Sequence, residues 1–220
     1  MKENVNTKRR FSHGIDLGSS GNSFLSILDN IEYKSYYDIA KLPLKQYTSE
    51  KKGYPLCGDL IKLPYKNETF DFISALDVLE HIKDDNLAVS EICRILKKNG
   101  LLVLTVPHRM KFYSYQDKLI GHYRRYEVEQ MINLFRYSKL KLLKTFGVYG
   151  KLMRIADIQS MNPKKIEKSI IDLRRRYESN TIFRKLWDIF VKIASKIMKF
   201  DAKYHSIKNI MNIAFIFKKI

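Results

Sequence analysis

From residue 14 onward, short apolar runs rich in β-branched and aromatic residues alternate with longer stretches in which apolar positions recur every three or four residues. Runs of the first kind fall at 14–17, 34–39, 55–58, 70–76 and 101–106, each short enough to be a buried strand. Helical periodicity falls between them at 23–30 and 86–98. In the second of these, Leu87, Ile92, Ile95 and Leu96 form one apolar stripe, and Asn99-Gly100 supplies a stop. A further helix is predicted over 127–137, a strand over 141–148 and a last strand over 212–217. Strands that alternate with helices in this way predict an α/β protein with a parallel sheet covered on both faces.

Between Gly150 and Met211 the pattern changes. A polar, proline-marked segment (160–165) is followed by helical periodicity over 166–177 and again over 182–200. In the last, Phe183, Leu186, Trp187, Phe190, Ala194 and Ile197 recur on one side, with Lys185, Asp188, Lys192, Lys196 and Lys199 on the other. That is a basic amphipathic helix. The expected organisation is one α/β domain over 1–150 and 212–220 that carries a basic helical insertion at 151–211.

Charge gives the insertion a second distinction. Residues 1–150 hold 24 Lys and Arg against 17 Asp and Glu, a net of +7, whereas 151–220 hold 17 against 6, a net of +11. Most of the chain's net charge of +18 therefore sits in its last third. Such asymmetry suits an anionic partner, a lipid surface or a nucleic acid; a plain solvated surface suits it equally. The two cysteines, Cys57 and Cys93, have no ligand-like spacing and fit a reducing compartment. The basic N-terminus lacks the apolar core of a secretory signal, and no apolar run reaches the length of a membrane span. A cytoplasmic location is expected, with the basic helix as a point of contact for a membrane surface. Strand one lies so near the start that a lid helix ahead of it is expected to come from elsewhere or to be absent.

Candidate chemistry gathers at the strand ends. Ile15-Asp16-Leu17-Gly18-Ser19-Ser20-Gly21 closes the first strand, where glycine lets the backbone turn tightly and approach a ligand. A helix after it would turn its N-terminal N–H groups toward that ligand. Asp38 closes the second strand, where a carboxylate can accept from both hydroxyls of a ribose. Gly58-Asp59-Leu60 closes the third, where Asp59 can accept from an adenine amino group. In a doubly wound sheet these ends meet in one crevice.

The set of motifs resembles a known family. Asp16-Leu17-Gly18, Gly58-Asp59-Leu60-Ile61-Lys62-Leu63-Pro64-Tyr65, Phe70-Asp71 and Leu76-Asp77-Val78-Leu79-Glu80-His81-Ile82 look like the ordered series of class I S-adenosylmethionine-dependent methyltransferases. Glu91-Ile92-Cys93-Arg94-Ile95-Leu96-Lys97-Lys98-Asn99-Gly100-Leu101 is similar to the helix and turn that follow in that family, so the likeness covers residues 14–107. It implies a doubly wound seven-stranded sheet in the order 3-2-1-4-5-7-6, with strand seven antiparallel. It also implies S-adenosylmethionine as cofactor, with contacts from Asp16, Gly18, Ser20, Gly21, Asp38, Asp59, Leu60 and Asp77. Ser20 and Asn22 stand where the family usually has glycine, so the loop is expected to shift by a residue or to hold the cofactor less tightly.

Methyl transfer needs alignment above all, and a general base chiefly when the acceptor is a hydroxyl. His81, His108 and His122 are candidates near the same sheet edge, with His81, His122 and Arg125 expected to serve the reaction. Asp77, Glu80 and His81 resemble the divalent-ion cluster of ubiquinone-biosynthesis O-methyltransferases, but the first glutamate is an aspartate here, and no metal is expected. Asp117 to Tyr126 looks like the Asp-x-x-x-Gly-His-x-Arg-Arg-Tyr segment found in a subset of the family that is often linked to glycan or lipid biosynthesis. Its histidine and paired arginines suit bidentate contact with a phosphate or carboxylate; a loop that seals the site by salt bridges is the other reading. The expected acceptor is a small molecule, a glycan or a lipid-linked group, modified at oxygen. Two alternatives stay open: an RNA methyltransferase, although there is no appended RNA-binding module or Asn-Pro-Pro-Tyr-like signature, and a non-catalytic protein that keeps the fold.

Overall fold

The computed structural model describes residues 5, 9–20, 22–49, 53–150, 163–204 and 207–220. Seven strands, β1 (Phe11–Leu17), β2 (Ile31–Asp38), β3 (Gly53–Cys57), β4 (Phe70–Leu76), β5 (Leu96–Pro107), β6 (Leu140–Tyr149) and β7 (Asn212–Lys219), form one sheet in the order β3-β2-β1-β4-β5-β7-β6. β7 runs antiparallel to both β5 and β6, and the other neighbours are parallel. The α/β class and the strand order expected from the sequence are those of the structure.

Period-two alternation distributes the core between the faces of the sheet. Ile15, Leu17, Ile73, Ala75, Leu102 and Leu104 join one buried cluster, while Phe11, Phe72, Leu101 and Val103 join the other. The first cluster is covered by α2 (Asp85–Ile95), which follows the short α1 (Lys41–Leu44) and brings Ala88, Val89, Ile92 and Ile95 to the sheet. Asp84 sets its start, accepting from the Leu87 amide at 3.1 Å. Leu87 itself is exposed, not part of the apolar stripe. The helix also ends before the predicted stop. Leu96 is drawn into the sheet opposite Phe70, and the register then slips so that Phe72 faces Leu101. Asn99-Gly100 is therefore part of this bulge in β5, with Asn99 in the left-handed region at φ 63°.

Two further expectations change. The stretch 23–30 makes only a 3₁₀ turn, Phe24–Ile27, before a turn at 29–30 leads into β2. Ser23 caps it by accepting from Leu25, and a serine-, asparagine- and aspartate-rich segment favours such local bonds over a longer helix. Among the described residues, no helix N-terminus of useful length thus follows the glycine loop. The helix predicted over 127–137 is α4 (Val128–Leu134), preceded by α3 (Tyr115–Leu119).

Between β6 and β7 lie α5 (Pro163–Ser179) and α6 (Thr181–Tyr204), where helices were predicted; part of the polar segment 160–165 lies outside the described residues. α6 packs on β6 and on α5. Of the apolar side predicted for it, Phe183, Trp187 and Ala194 are half-buried, and Leu186, Phe190 and Ile197 are exposed. No helix among the described residues is long and apolar enough to cross a membrane.

Candidate active site

The C-terminal ends of β1 to β4 open into a crevice of about 1120 Å³ lined by Gly18, Ser20, Asp38, Asp59, Leu60 and Asp77, among others. Six of the eight predicted cofactor contacts thus share one wall-to-wall space. Gly21 lies outside the described residues. Asp16 does not line the crevice: it is buried beneath the loop, where Ser23 Oγ donates to one carboxylate oxygen at 2.5 Å and Ser74 Oγ to the other. Burial pushes its carboxyl up to about 6 despite those two bonds. Its work is to tie β1, β4 and the loop together.

The loop turns on Gly18 at φ +72°, where a Cβ would stand 2.3 Å from Val78 Cγ2. Ser20 takes the left-handed region itself, at φ 46°, so a non-glycine residue fills a turn that the family gives to glycine. Its amide donates to Asp38 Oδ2 at 2.9 Å, while Ala40 donates to Oδ1 at 2.8 Å. A carboxylate has about four lone-pair sites, so both oxygens still have capacity for ribose hydroxyls. At the far end, Ile61 donates to Asp59 Oδ1, and a Cβ on Gly58 would collide with the Tyr37 hydroxyl. Carboxylates thus stand at two ends of a glycine-walled crevice, Asp38 at one and Asp59 at the other, a spacing of acceptors that suits a nucleoside.

A smaller cavity of about 350 Å³ adjoins the first. Pro107, Ile120, Tyr149 and Met211 contribute its apolar wall, and Glu80, His122 and Asn212 are among its polar groups. Asp77 and His81 line both spaces and so stand at their junction. Asp77 sits at φ 54° just past β4, held by Thr105 Oγ1 at 2.9 Å and Asn212 Nδ2 at 2.5 Å. Burial, then the neighbouring His122, lowers the His81 pKa, which favours the neutral ring. His108 lines neither space; it is buried with Nδ1 on the Tyr126 carbonyl at 2.8 Å.

The 117–126 segment corrects one expectation. Arg125 is buried and forks onto Asp117, with Nε to Oδ1 at 3.0 Å and Nη2 to Oδ2 at 2.9 Å. Arg124 pairs with Asp85 at 2.6 Å and donates to the Lys83 carbonyl. Tyr126 donates to Asp85 and to the Leu79 carbonyl. Both guanidiniums are thus committed to carboxylates of the chain, and the pair does not form an open anion clamp; the segment docks by salt bridges instead. His122 does face the cavity, its Nδ1 on Asp117 Oδ1 at 2.8 Å. Burial raises the Asp117 carboxyl, but bonds from His122, Arg125 and Ser114 outweigh it and hold the group well below the usual carboxylate range. An ionised carboxylate only accepts, so Nδ1 carries a proton, and in the neutral tautomer Nε2 is the acceptor turned to the cavity.

Glu80 was legible only through the family resemblance, and its state is a surprise. It is fully buried, neither oxygen has a hydrogen-bond partner among the described residues, and His122 Nε2 lies 3.8 Å away. Burial, and then Asp77, push its pKa well above the ordinary value. Asn212 and Tyr149 escaped the sequence reading altogether, because nothing near them in the chain marks them; β7 and β6 carry them to the cavity.

Residues 15–104 match the family model described as a methyltransferase domain. An uncharacterized protein of Methanocaldococcus jannaschii is 25% identical over 158 residues, covering 72% of this chain and 66% of that protein. A probable S-adenosylmethionine-dependent methyltransferase of Mycolicibacterium smegmatis is 27% identical over 94 residues, 42% of this chain and 37% of that protein. The chain therefore spans just under two thirds of the first relative's length and little more than a third of the second's. Among solved structures, a putative methyltransferase of Bacillus halodurans superposes with a TM-score of 0.62 at 15% identity, over 99% of this chain and 96% of that one. That likeness is one of fold. The match over residues 15–104 thus makes this part of the chain similar to a methyltransferase domain, and the seven-stranded sheet and its crevice agree with that likeness.

Proposed function

We propose that the chain transfers a methyl group from S-adenosylmethionine to the hydroxyl oxygen of a small-molecule, glycan or lipid-linked acceptor held in the smaller cavity. One observation carries this reading: two spaces, one fit for a nucleoside and one for an acceptor, meet at Asp77 and His81. Gly18, Ser20, Asp38, Asp59 and Leu60 would hold the cofactor, which supplies a methyl already activated on a sulfonium. The chain's own task is to orient the acceptor and take its proton. His122 offers Nε2 to the cavity as that base, while Asp117 steadies the ring and the positive charge it gains. Arg125 acts through Asp117 as a positioning residue.

Calorimetry with S-adenosylhomocysteine tests the cofactor half. Wild type is expected to bind, and Asp38→Ala to bind at least about tenfold more weakly, about 1.4 kcal/mol. No binding to wild type would favour a non-catalytic protein on this fold.

A second reading has an observation of its own. Among the described residues, Glu80, His81 and His122 bring ligand-type atoms within 4.8 Å of one another. A carboxylate behind the His122 ring is also how ligand histidines are commonly oriented. The doubly unpartnered Glu80 fits either a bound divalent cation or a protonated carboxyl. We favour the protonated form, because its burial and the nearby Asp77 oppose ionisation. A chelator is then expected to leave activity and melting temperature unchanged. Loss of both on chelation, with recovery on adding magnesium, would establish the cation instead.

A further inference from the structure

α6 carries an exposed apolar ladder that nothing in the chain covers among the described residues. Ile182, Leu186, Ile189, Ile193, Ile197 and Phe200 follow one another at spacings of three and four, and each is between 51% and 73% exposed. Side chains so spaced lie on one face of a helix. Phe183, Trp187, Ala194 and Met198 lie to one side of the ladder and are half-buried, toward the flank on which the helix packs against β6 and α5. The ladder is thus a second apolar surface, beyond the one that folding uses.

A row of lysines runs along the other side of the ladder. Lys185, Lys192, Lys196 and Lys203 are exposed and repeat at the same helical spacing. Lys185 lies four residues before Ile189, Lys196 three after Ile193, and Lys203 three after Phe200, so cations and apolar side chains are neighbours along the length of the helix. The helix has two acidic residues: Asp188 falls within the lysine row, three residues after Lys185 and four before Lys192, and Asp201 lies on the packed flank. Asp188 accepts from the Tyr177 hydroxyl of α5 at 2.9 Å, and Asp201 is buried.

We propose that α6 docks in the interface of an anionic lipid bilayer, with the ladder among the acyl chains and the lysines at the headgroups. The charge pattern decides among the occupants. A nucleic acid would use the lysines and leave six large apolar side chains in water. A second copy packed antiparallel about a two-fold axis would bury the ladder but set the two lysine rows side by side, at a cost in repulsion. A bilayer with anionic headgroups uses both rows at once. The placement also suits the reading that the smaller cavity receives the acceptor, on which it rests only for its biological use. The insertion leaves β6 after Tyr149 and returns at Met211 and Asn212, all three of which line that cavity. The end of α6 is anchored there too, with Asp201 against Gly150 and Ala202 against Gly147.

The full chain should be spun down with vesicles of phosphatidylcholine containing phosphatidylglycerol, and with vesicles of phosphatidylcholine alone. Binding is expected to the first and to be weak for the second, and to fall in ~1 M salt, where the screening length is about 3 Å. The Lys185→Glu/Lys192→Glu/Lys196→Glu variant is expected to bind anionic vesicles at least about tenfold more weakly. Ile189→Ser/Ile193→Ser is expected to lose binding as well, because screened charge alone gives only loose association. S-adenosylhomocysteine binding should be unchanged in both variants; if the wild type lacked it, the methyltransferase reading would fail and the docking would not. No binding to anionic vesicles at low salt overturns the docking. So does undiminished binding by Ile189→Ser/Ile193→Ser. A wild-type dimer that this variant dissolves, without any vesicle binding, would assign the ladder to a second copy.

Discussion

Asp117→Ala is expected to destabilise the fold by about 3–5 kcal/mol, the range for removing one partner of a buried ion pair. Asp117 is 1% exposed and receives Arg125 in two bonds, His122 in one and the Ser114 amide in another. Without it, Arg125 keeps a buried charge with its bidentate partner gone. Urea unfolding at pH 7 reads the loss, and a cost under about 1 kcal/mol would mean that the segment is held by other contacts. The effect has a pH signature. Because the folded carboxyl titrates well below its ordinary value, its contribution is fully present above the unfolded value near ~3.9 and is lost as pH falls through the folded one. The gap between wild type and Asp117→Ala should therefore be constant from pH 7 to about pH 5 and narrow below about pH 4. Arg125→Lys keeps the charge but loses the fork, so it is expected to fall between the two.

His122→Ala is expected to lower kcat by about 10²- to 10⁴-fold, the usual worth of a positioned proton acceptor. Affinity for S-adenosylhomocysteine should be unchanged, since His122 lines only the smaller cavity. That split separates a base from a brace: a structural role would reduce cofactor binding and stability together. A fall in kcat under about tenfold would move the proton transfer to His81, whose ring reaches both spaces and which burial keeps neutral. The two variants also bear on each other. If Asp117 acts through His122, activity lost in a folded Asp117→Asn protein should not be lost again when His122 is also removed.

Much of this was readable from local pattern. The runs that became β1, β4, β5 and β7 announced themselves because a strand buried on both faces needs consecutive apolar residues, and that need is met within a few positions of the chain. Gly18, Asp38 and Asp59 were readable for a similar reason: each closes a strand, and strand ends in a parallel sheet meet on one edge. Boundaries were less secure where local and tertiary demands competed. Leu96 satisfies a helical stripe and a strand equally well, and pairing with Phe70 settled the matter. The segment after Ser23 has enough apolar residues for a helix, yet its polar residues bond locally and stop it after one turn.

By itself, then, the sequence determined the order of elements, the fold class and the sheet edge that carries the crevice, since each depends on residues close together in the chain. Tertiary structure alone decided what the polar residues of that edge do. Asp16 bonds Ser74 across 58 positions and Asp77 bonds Asn212 across 135, and neither pairing leaves a trace in local composition. Arg125 looked ready for a substrate until Asp117, eight residues away, was seen to hold the Nε and Nη2 of its guanidinium. The same holds for α6, whose periodicity shows that it is amphipathic but not how much of its apolar surface the protein covers. Burial is a property of the packed chain, and only the packing shows that the ladder from Ile182 to Phe200 remains in the open.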